Sequence, residues 1–184
     1  MRKKPPQASP PPVVGMRLID EHPDIADREI PGNWEGDLII GQDGASACVT
    51  LVECTTRYLI IVALPLGRKA DQVCDTLTRR IQGRPKGAMR TLTWDQGREM
   101  ARHQRLTHDS GLEVSFAHPK AHGREQPTKT PTGLSADTYL KDPPITSHQL
   151  YLDAIVYELN NCPKATLDYR TPTQVFNGPI ATTH

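Results

Sequence analysis

Two aspartates sit in apolar, strand-forming text. One is Asp37 in Asn33-Trp34-Glu35-Gly36-Asp37-Leu38-Ile39-Ile40; the other is Asp95 in Thr91-Leu92-Thr93-Trp94-Asp95-Gln96-Gly97. A carboxylate buried among such residues is costly unless something pairs with it. Two carboxylates from two strands supply the oxygen ligands that hard divalent cations take, and such cations serve phosphodiester chemistry. On the residues alone a plainer reading stays open. Asp37 would be a turn aspartate, and Asp95, ahead of Gln96-Gly97, the N-cap of a following helix.

The neighbouring groups read more plainly. Glu35, two residues from Asp37, projects to the same sheet face and reads as a solvent-facing charge. Glu53 and Glu99 read as partners for Arg57 or Arg102, and Trp34 and Trp94 as core packing beside the aspartates. Arg79, Arg80, Arg84, Lys86 and Arg90 form a basic cluster that is either a solvated loop or a phosphate-contacting patch. His118 and His122 are four apart, but Pro119 and Gly123 oppose a helix there. No cysteine pair completes a tetrahedral zinc set around them.

The elements that must position the aspartates follow from periodicity. Strands are predicted at 34–41, 46–56, 57–66, 90–95 and 112–117 from runs rich in Val, Ile, Leu and Thr. Helical spacing of Val73, Leu77 and Ile81 predicts a helix over 69–82 that stops at Gly83. Further helices are predicted at 98–108 and 149–160, with a short capped turn at 171–176. Three strands, a helix, a strand, a helix and a strand predict a mixed sheet with helices packed on it. Residues 1–31 read as a basic, proline-rich leader or linker, with Arg2, Lys3 and Lys4 ahead of Pro5-Pro6 and Pro10-Pro11-Pro12.

Composition narrows the classes. The chain has 184 residues and a net charge of +1, so no global basic field marks a nucleic-acid binder. Four cysteines without CxxC spacing read as small apolar residues in a reducing compartment. No apolar run approaches a membrane span, and the basic N-terminus lacks the apolar core of a signal peptide. A cytoplasmic location is the expectation.

Several blocks carry a family resemblance in order. They are 32–41 with Asp37, Thr50-Leu51-Val52-Glu53-Cys54-Thr55-Thr56-Arg57, and Leu92-Thr93-Trp94-Asp95-Gln96-Gly97 through His103. Glu158-Leu159-Asn160-Asn161-Cys162-Pro163-Lys164 and Leu167-Asp168-Tyr169-Arg170-Thr171-Pro172 follow. In these the chain resembles the retroviral-integrase-like transposase core of the IS-thirty family of bacterial insertion sequences. The resemblance implies an α/β, ribonuclease-H-like fold: a mixed five-stranded sheet flanked by helices, spanning 32–177. It implies DNA cleavage and strand transfer with a pair of Mg²⁺ or Mn²⁺ ions held by three carboxylates. Asp37 and Asp95 match the first two as catalytic and metal-binding residues. The implied partners are transposon ends and target DNA, together with a second copy of the chain or intact transposase subunits.

The third carboxylate departs from the pattern. The resemblance places a glutamate after 33 intervening residues beyond Asp95, and that position is Lys129. An ammonium about 4 Å from a divalent ion costs roughly 8 kcal/mol at an effective dielectric near 20. Glu125 is the nearest substitute carboxylate, four positions early. Around it, 118–147 loses all periodicity and holds Pro119, Pro127, Pro131, Pro143 and Pro144, which predicts a degenerate segment of low stability.

A shift of reading frame accounts for that segment. Back-translated and read one codon phase over, Lys120 to Asp142 yields Ser-Pro-Trp-Gln-Arg-Ala-Thr-Asn-Glu-Asn-Thr-Asn-Gly-Leu-Ile-Arg-Arg-Tyr-Leu-Pro-Lys-Gly with suitable synonymous codons. That is close to the block the resemblance calls for, and its glutamate codon straddles Thr128 and Lys129. The expected function is therefore a transposase catalytic core with impaired chemistry. The alternative is a catalytically dead remnant that binds DNA or transposase subunits.

Overall fold

The structure, a computed structural model, describes residues 15, 17, 31–41, 44, 46–85, 87–95, 97–117 and 148–180. Most of the leader, Lys86, His118, His122, Glu125 and Lys129 lie outside the described residues, as does the whole of 118–147.

Five strands form one mixed sheet: β1 (Asn33–Ile40), β2 (Ala47–Glu53), β3 (Leu59–Ala63), β4 (Thr91–Trp94) and β5 (Glu113–Phe116). Their order across the sheet is β3-β2-β1-β4-β5. The first three form an antiparallel meander, and β4 and β5 join it in parallel through crossovers. Helices α1 (Ala70–Gln82) and α2 (His103–Ser110) are those crossovers. Two further helices, α3 (Gln149–Asn160) and α4 (Pro172–Ile180), follow the sheet in sequence.

Period-two alternation splits the sheet between two cores. Trp34, Val49, Leu51, Ile60, Val62, Leu92, Trp94, Val114 and Phe116 face α1, whose Val73, Cys74, Leu77 and Ile81 form its buried stripe. Cys48, Leu59, Ile61 and Ala63 face the other way, onto Leu152 and Leu159 of α3. The result is a three-layer α/β/α sandwich. Phe176 of α4 returns to the start of β1, stacked on Tyr58 at 4.4 Å and edge-on to Trp34 at 5.9 Å.

The outer edge of β3 would present unpaired backbone groups. Two amides of α3 satisfy them. Gln149 accepts from the Ala63 N–H at 2.9 Å and donates to the Ile61 carbonyl at 2.8 Å. At the other end of the helix, buried Asn160 accepts from the Leu59 N–H and donates to its carbonyl, both at 2.8 Å. The helix thus imitates a sixth strand at two points.

The expected helix over 98–108 is divided. Arg98–Met100 forms a 3-10 turn, and α2 begins at His103. Glu99 is drawn back to accept from the Trp94 indole N–H at 3.0 Å, which fixes the first turn against β4. Gly111, at φ +74°, ends α2 in the left-handed conformation, its N–H donating to the Thr107 carbonyl at 2.8 Å.

Candidate metal centre at the strand ends

The parallel register of β1 and β4 pairs Asn33 with Thr91, Trp34 with Leu92, Glu35 with Thr93 and Gly36 with Trp94. The next residue on each strand is Asp37 and Asp95. Continued by one step, that register would set the two aspartates side by side on one sheet face, the face that carries α3 rather than α1. Both are exposed. Sequence reasoning expected buried carboxylates. Asp37 lies within β1, just past the stretch that β4 pairs with, and Asp95 directly follows β4.

Hydrogen bonds from both its own strand and β2 hold Asp37 in place. Its Oδ1 accepts from the Leu38 N–H at 2.8 Å, and its carbonyl accepts from the Thr50 hydroxyl at 3.5 Å. On β2, Cys48 is buried two residues from Thr50, the register partner of Asp37. Burial, followed by the nearby Asp37 carboxylate, pushes the Cys48 thiol up to about 11.

That shift has a sign. The thiol stays protonated in the folded chain above pH 9, whereas the unfolded chain loses the proton there. The folded state then binds more protons, so stability falls as pH rises from about 9 to about 11. Urea titrations across that range are expected to show wild type losing more stability than Cys48→Ala. Equal losses in the two would refute the assignment.

The backbone beside Asp37 is shaped for Trp94. A Cβ built on Gly36 would overlap the six-membered ring of Trp94 and lie 3.1 Å from Leu92 Cδ1. Only glycine lets the indole lie across β1. Trp94 is 1% exposed and locked through Glu99, so the residue after it leaves the sheet in a fixed direction.

The plainer reading of Asp95 does not hold. Gly97, not Asp95, is the N-cap of the following 3-10 turn, and that turn has no side-chain cap. Glu35 is half-buried rather than solvent-facing. Among the described residues, no three His, Cys, Asp or Glu side chains converge as a metal site requires. Two oxygen donors on one face fit part of a divalent-cation site, and the position of the third lies outside the described residues.

Two further readings are corrected. Glu53 is not an arginine's partner among the described residues. It is fully buried, and its oxygens accept from the N–H groups of Gly32, Thr55 and Thr56 and from the Thr56 hydroxyl. Arg102 pairs instead with Asp71 at 2.7 Å. Glu99 serves the Trp94 indole. Both tryptophans are core residues, as expected.

The described members of the basic cluster lie toward the far end of the sheet. Ala88 accepts from the Trp34 indole at 2.9 Å, and the Arg90 N–H donates to the Gly32 carbonyl at 2.8 Å, both at the start of β1. Arg80 is tied to Asp153 at 3.1 Å. A cleft bounded by Tyr58, Arg80, Arg84, Asp153, Tyr157 and Asn160 opens beside β3. The end that carries Asp37 and Asp95 has other cations: exposed Arg68 and Lys69 ahead of α1, and exposed Arg98 after Asp95. Local sequence could not reveal this exchange, because the crossover reverses direction between β3 and β4.

Comparison with known proteins follows the same lines. Residues 27–122 match the integrase core domain model. The chain is 36% identical over 160 residues to the transposase for insertion sequence element IS1086 of Cupriavidus metallidurans, covering 86% of this chain and 47% of that protein. It is 33% identical over 172 residues to transposase InsI for insertion sequence element IS30A of Escherichia coli K12, covering 93% and 44%. A transposase for insertion sequence element IS4351 of Bacteroides fragilis is 28% identical over 168 residues, covering 89% and 50%. The chain thus spans about half the length of the curated relatives it matches.

Proposed function

Because the chain belongs to the integrase core domain family, we propose that it is the catalytic-core portion of an insertion-sequence transposase, built to cut and join DNA strands. The observation that supports this is the parallel register of β1 and β4, whose last pair, Gly36 with Trp94, immediately precedes Asp37 and Asp95. Both would hold divalent cations, Mg²⁺ or Mn²⁺. When bound, such ions supply charge neutralisation at the attacking and leaving oxygens of an in-line displacement.

The chain's own residues prepare that chemistry. Gly36 admits Trp94, and Trp94 with Glu99 fixes where β4 ends and hence where Asp95 begins. Arg68, Lys69 and Arg98 flank the same end and would meet phosphates of transposon ends and target DNA. Function beside chromosomal DNA puts the protein in the cytoplasm, at the nucleoid.

Impairment is part of the proposal. It rests on Lys129 at the position of the third acid and on the shifted-phase reading of 120–142. The alternative is a remnant that binds DNA or transposase subunits without cutting.

Purified chain, Mg²⁺ or Mn²⁺ and a linear terminal-repeat duplex test the reading. The chain as written should cleave no faster than Asp95→Ala. Replacing 120–142 by the shifted-phase block should raise cleavage by at least about 100-fold, the scale on which even outer partners of a metal act. Lys129→Glu alone should restore nothing. Cleavage by the unaltered chain that Asp95→Ala abolishes would overturn the impairment. A repaired chain that remains inert would overturn the assignment of the site.

A further inference from the structure

The two edges of the sheet are closed by different devices. Side-chain amides of α3 close the β3 edge. At the β5 edge the partner is the chain's own leader. The Phe116 N–H donates outward to the Arg17 carbonyl at 2.8 Å, while the next amide, that of Ala117, donates inward to the Trp94 carbonyl at 2.9 Å. This is the alternation of a strand paired on both sides. Two residues earlier, the Gly15 carbonyl lies 3.2 Å from Nε2 of His103, the first residue of α2.

His103 is built to receive it. It is 5% exposed, its Nδ1 lies 3.1 Å from the Met100 carbonyl, and its ring stands edge-on to Phe116 at 5.0 Å. The leader therefore contacts two residues, His103 and Phe116, that already touch each other. Gly15 is needed for this path. Its φ is +77°, and a Cβ there would run into the amide of Gln104.

We propose that Gly15 and Arg17 form a docking strap in which Arg17 adds to the outer edge of β5 and Gly15 seats on His103. The strap has two consequences. It removes an open edge that would otherwise pair with a second chain. It also anchors the leader at the last residue of β5, one strand away from Asp95 and at the same end of the sheet. The docking itself does not depend on the activity assigned above.

Amide hydrogen exchange on the full chain tests it. In wild type, the Phe116 amide should be protected to nearly the same degree as that of Ala117. Gly15→Val should speed exchange at Phe116 at least about tenfold while leaving the β1 and β4 amides unchanged. The same variant should self-associate in sedimentation at concentrations where wild type does not. Gly15→Asn combined with Gln104→Ala tolerates the positive φ and removes the collision, so it should keep Phe116 protected. Unchanged Phe116 exchange in Gly15→Val, or a uniform rise across all five strands, would overturn the strap.

Discussion

Glu53→Ala is expected to lower the stability of the chain by about 3 kcal/mol or more. The fully buried Glu53 carboxylate sits where the turn after β2 meets the approach to β1. It accepts from the Gly32 N–H at 3.0 Å, the Thr55 N–H at 3.1 Å, and the Thr56 N–H and hydroxyl at 2.6 Å each. Truncation removes the acceptor of three buried donors, and each buried donor left unmade costs about 1–3 kcal/mol. Even at the lower bound the loss is about 3 kcal/mol, against a total of roughly 5–15 for a domain. Glu53→Gln keeps one acceptor oxygen but turns an NH₂ toward donors, so its loss should be smaller. Circular dichroism at 222 nm during urea titration reads both. A Glu53→Ala midpoint equal to wild type would show the network contributes nothing.

Gly36→Val is expected to lower stability by about 3 kcal/mol or more, the upper end of the cost of overpacking a core. For a domain of this size that is a fall of roughly 10 °C in Tm. The added atoms meet Trp94, whose ring cannot retreat because its indole N–H is held by Glu99 and the ring is 1% exposed. The variant should also lose cation binding, because moving Trp94 moves Asp95, the residue after it. Gly36→Ala should show the same pair of effects in milder form. A thermal scan with Mn²⁺ titration separates the two consequences. Wild-type Tm and wild-type cation affinity in Gly36→Val would refute the packing described for β1 and β4.

Much of this was legible in the sequence because it is local. Runs rich in Val, Ile, Leu and Thr at 47–53 and 59–63 mark buried strands, and the Val73, Leu77, Ile81 spacing marks the buried stripe of α1. Asp37 and Asp95 stood out because each interrupts an apolar run. What failed was long-range. Gln149 and Asn160 look like ordinary helix-end polars, and only the folded chain shows them bonding β3 from about 90 to 100 residues away. Glu53 resembled an ion-pair member because charge suggests a counter-charge. Its companions Thr55 and Thr56 were the available signal, since a carboxylate just ahead of two threonines can close a turn by accepting from it. Where the basic run at 79–90 would sit was not legible for a topological reason: α1 carries the chain back to the end of the sheet opposite the aspartates.

The central claim is that Asp37 and Asp95 together bind a divalent cation, and paramagnetic broadening of backbone amide signals by Mn²⁺ tests it most directly. Broadening should centre on residues 36–38 and 94–97, reverse on adding excess Mg²⁺, and vanish in both Asp37→Asn and Asp95→Asn. Broadening centred elsewhere, or left intact in either variant, would contradict the account.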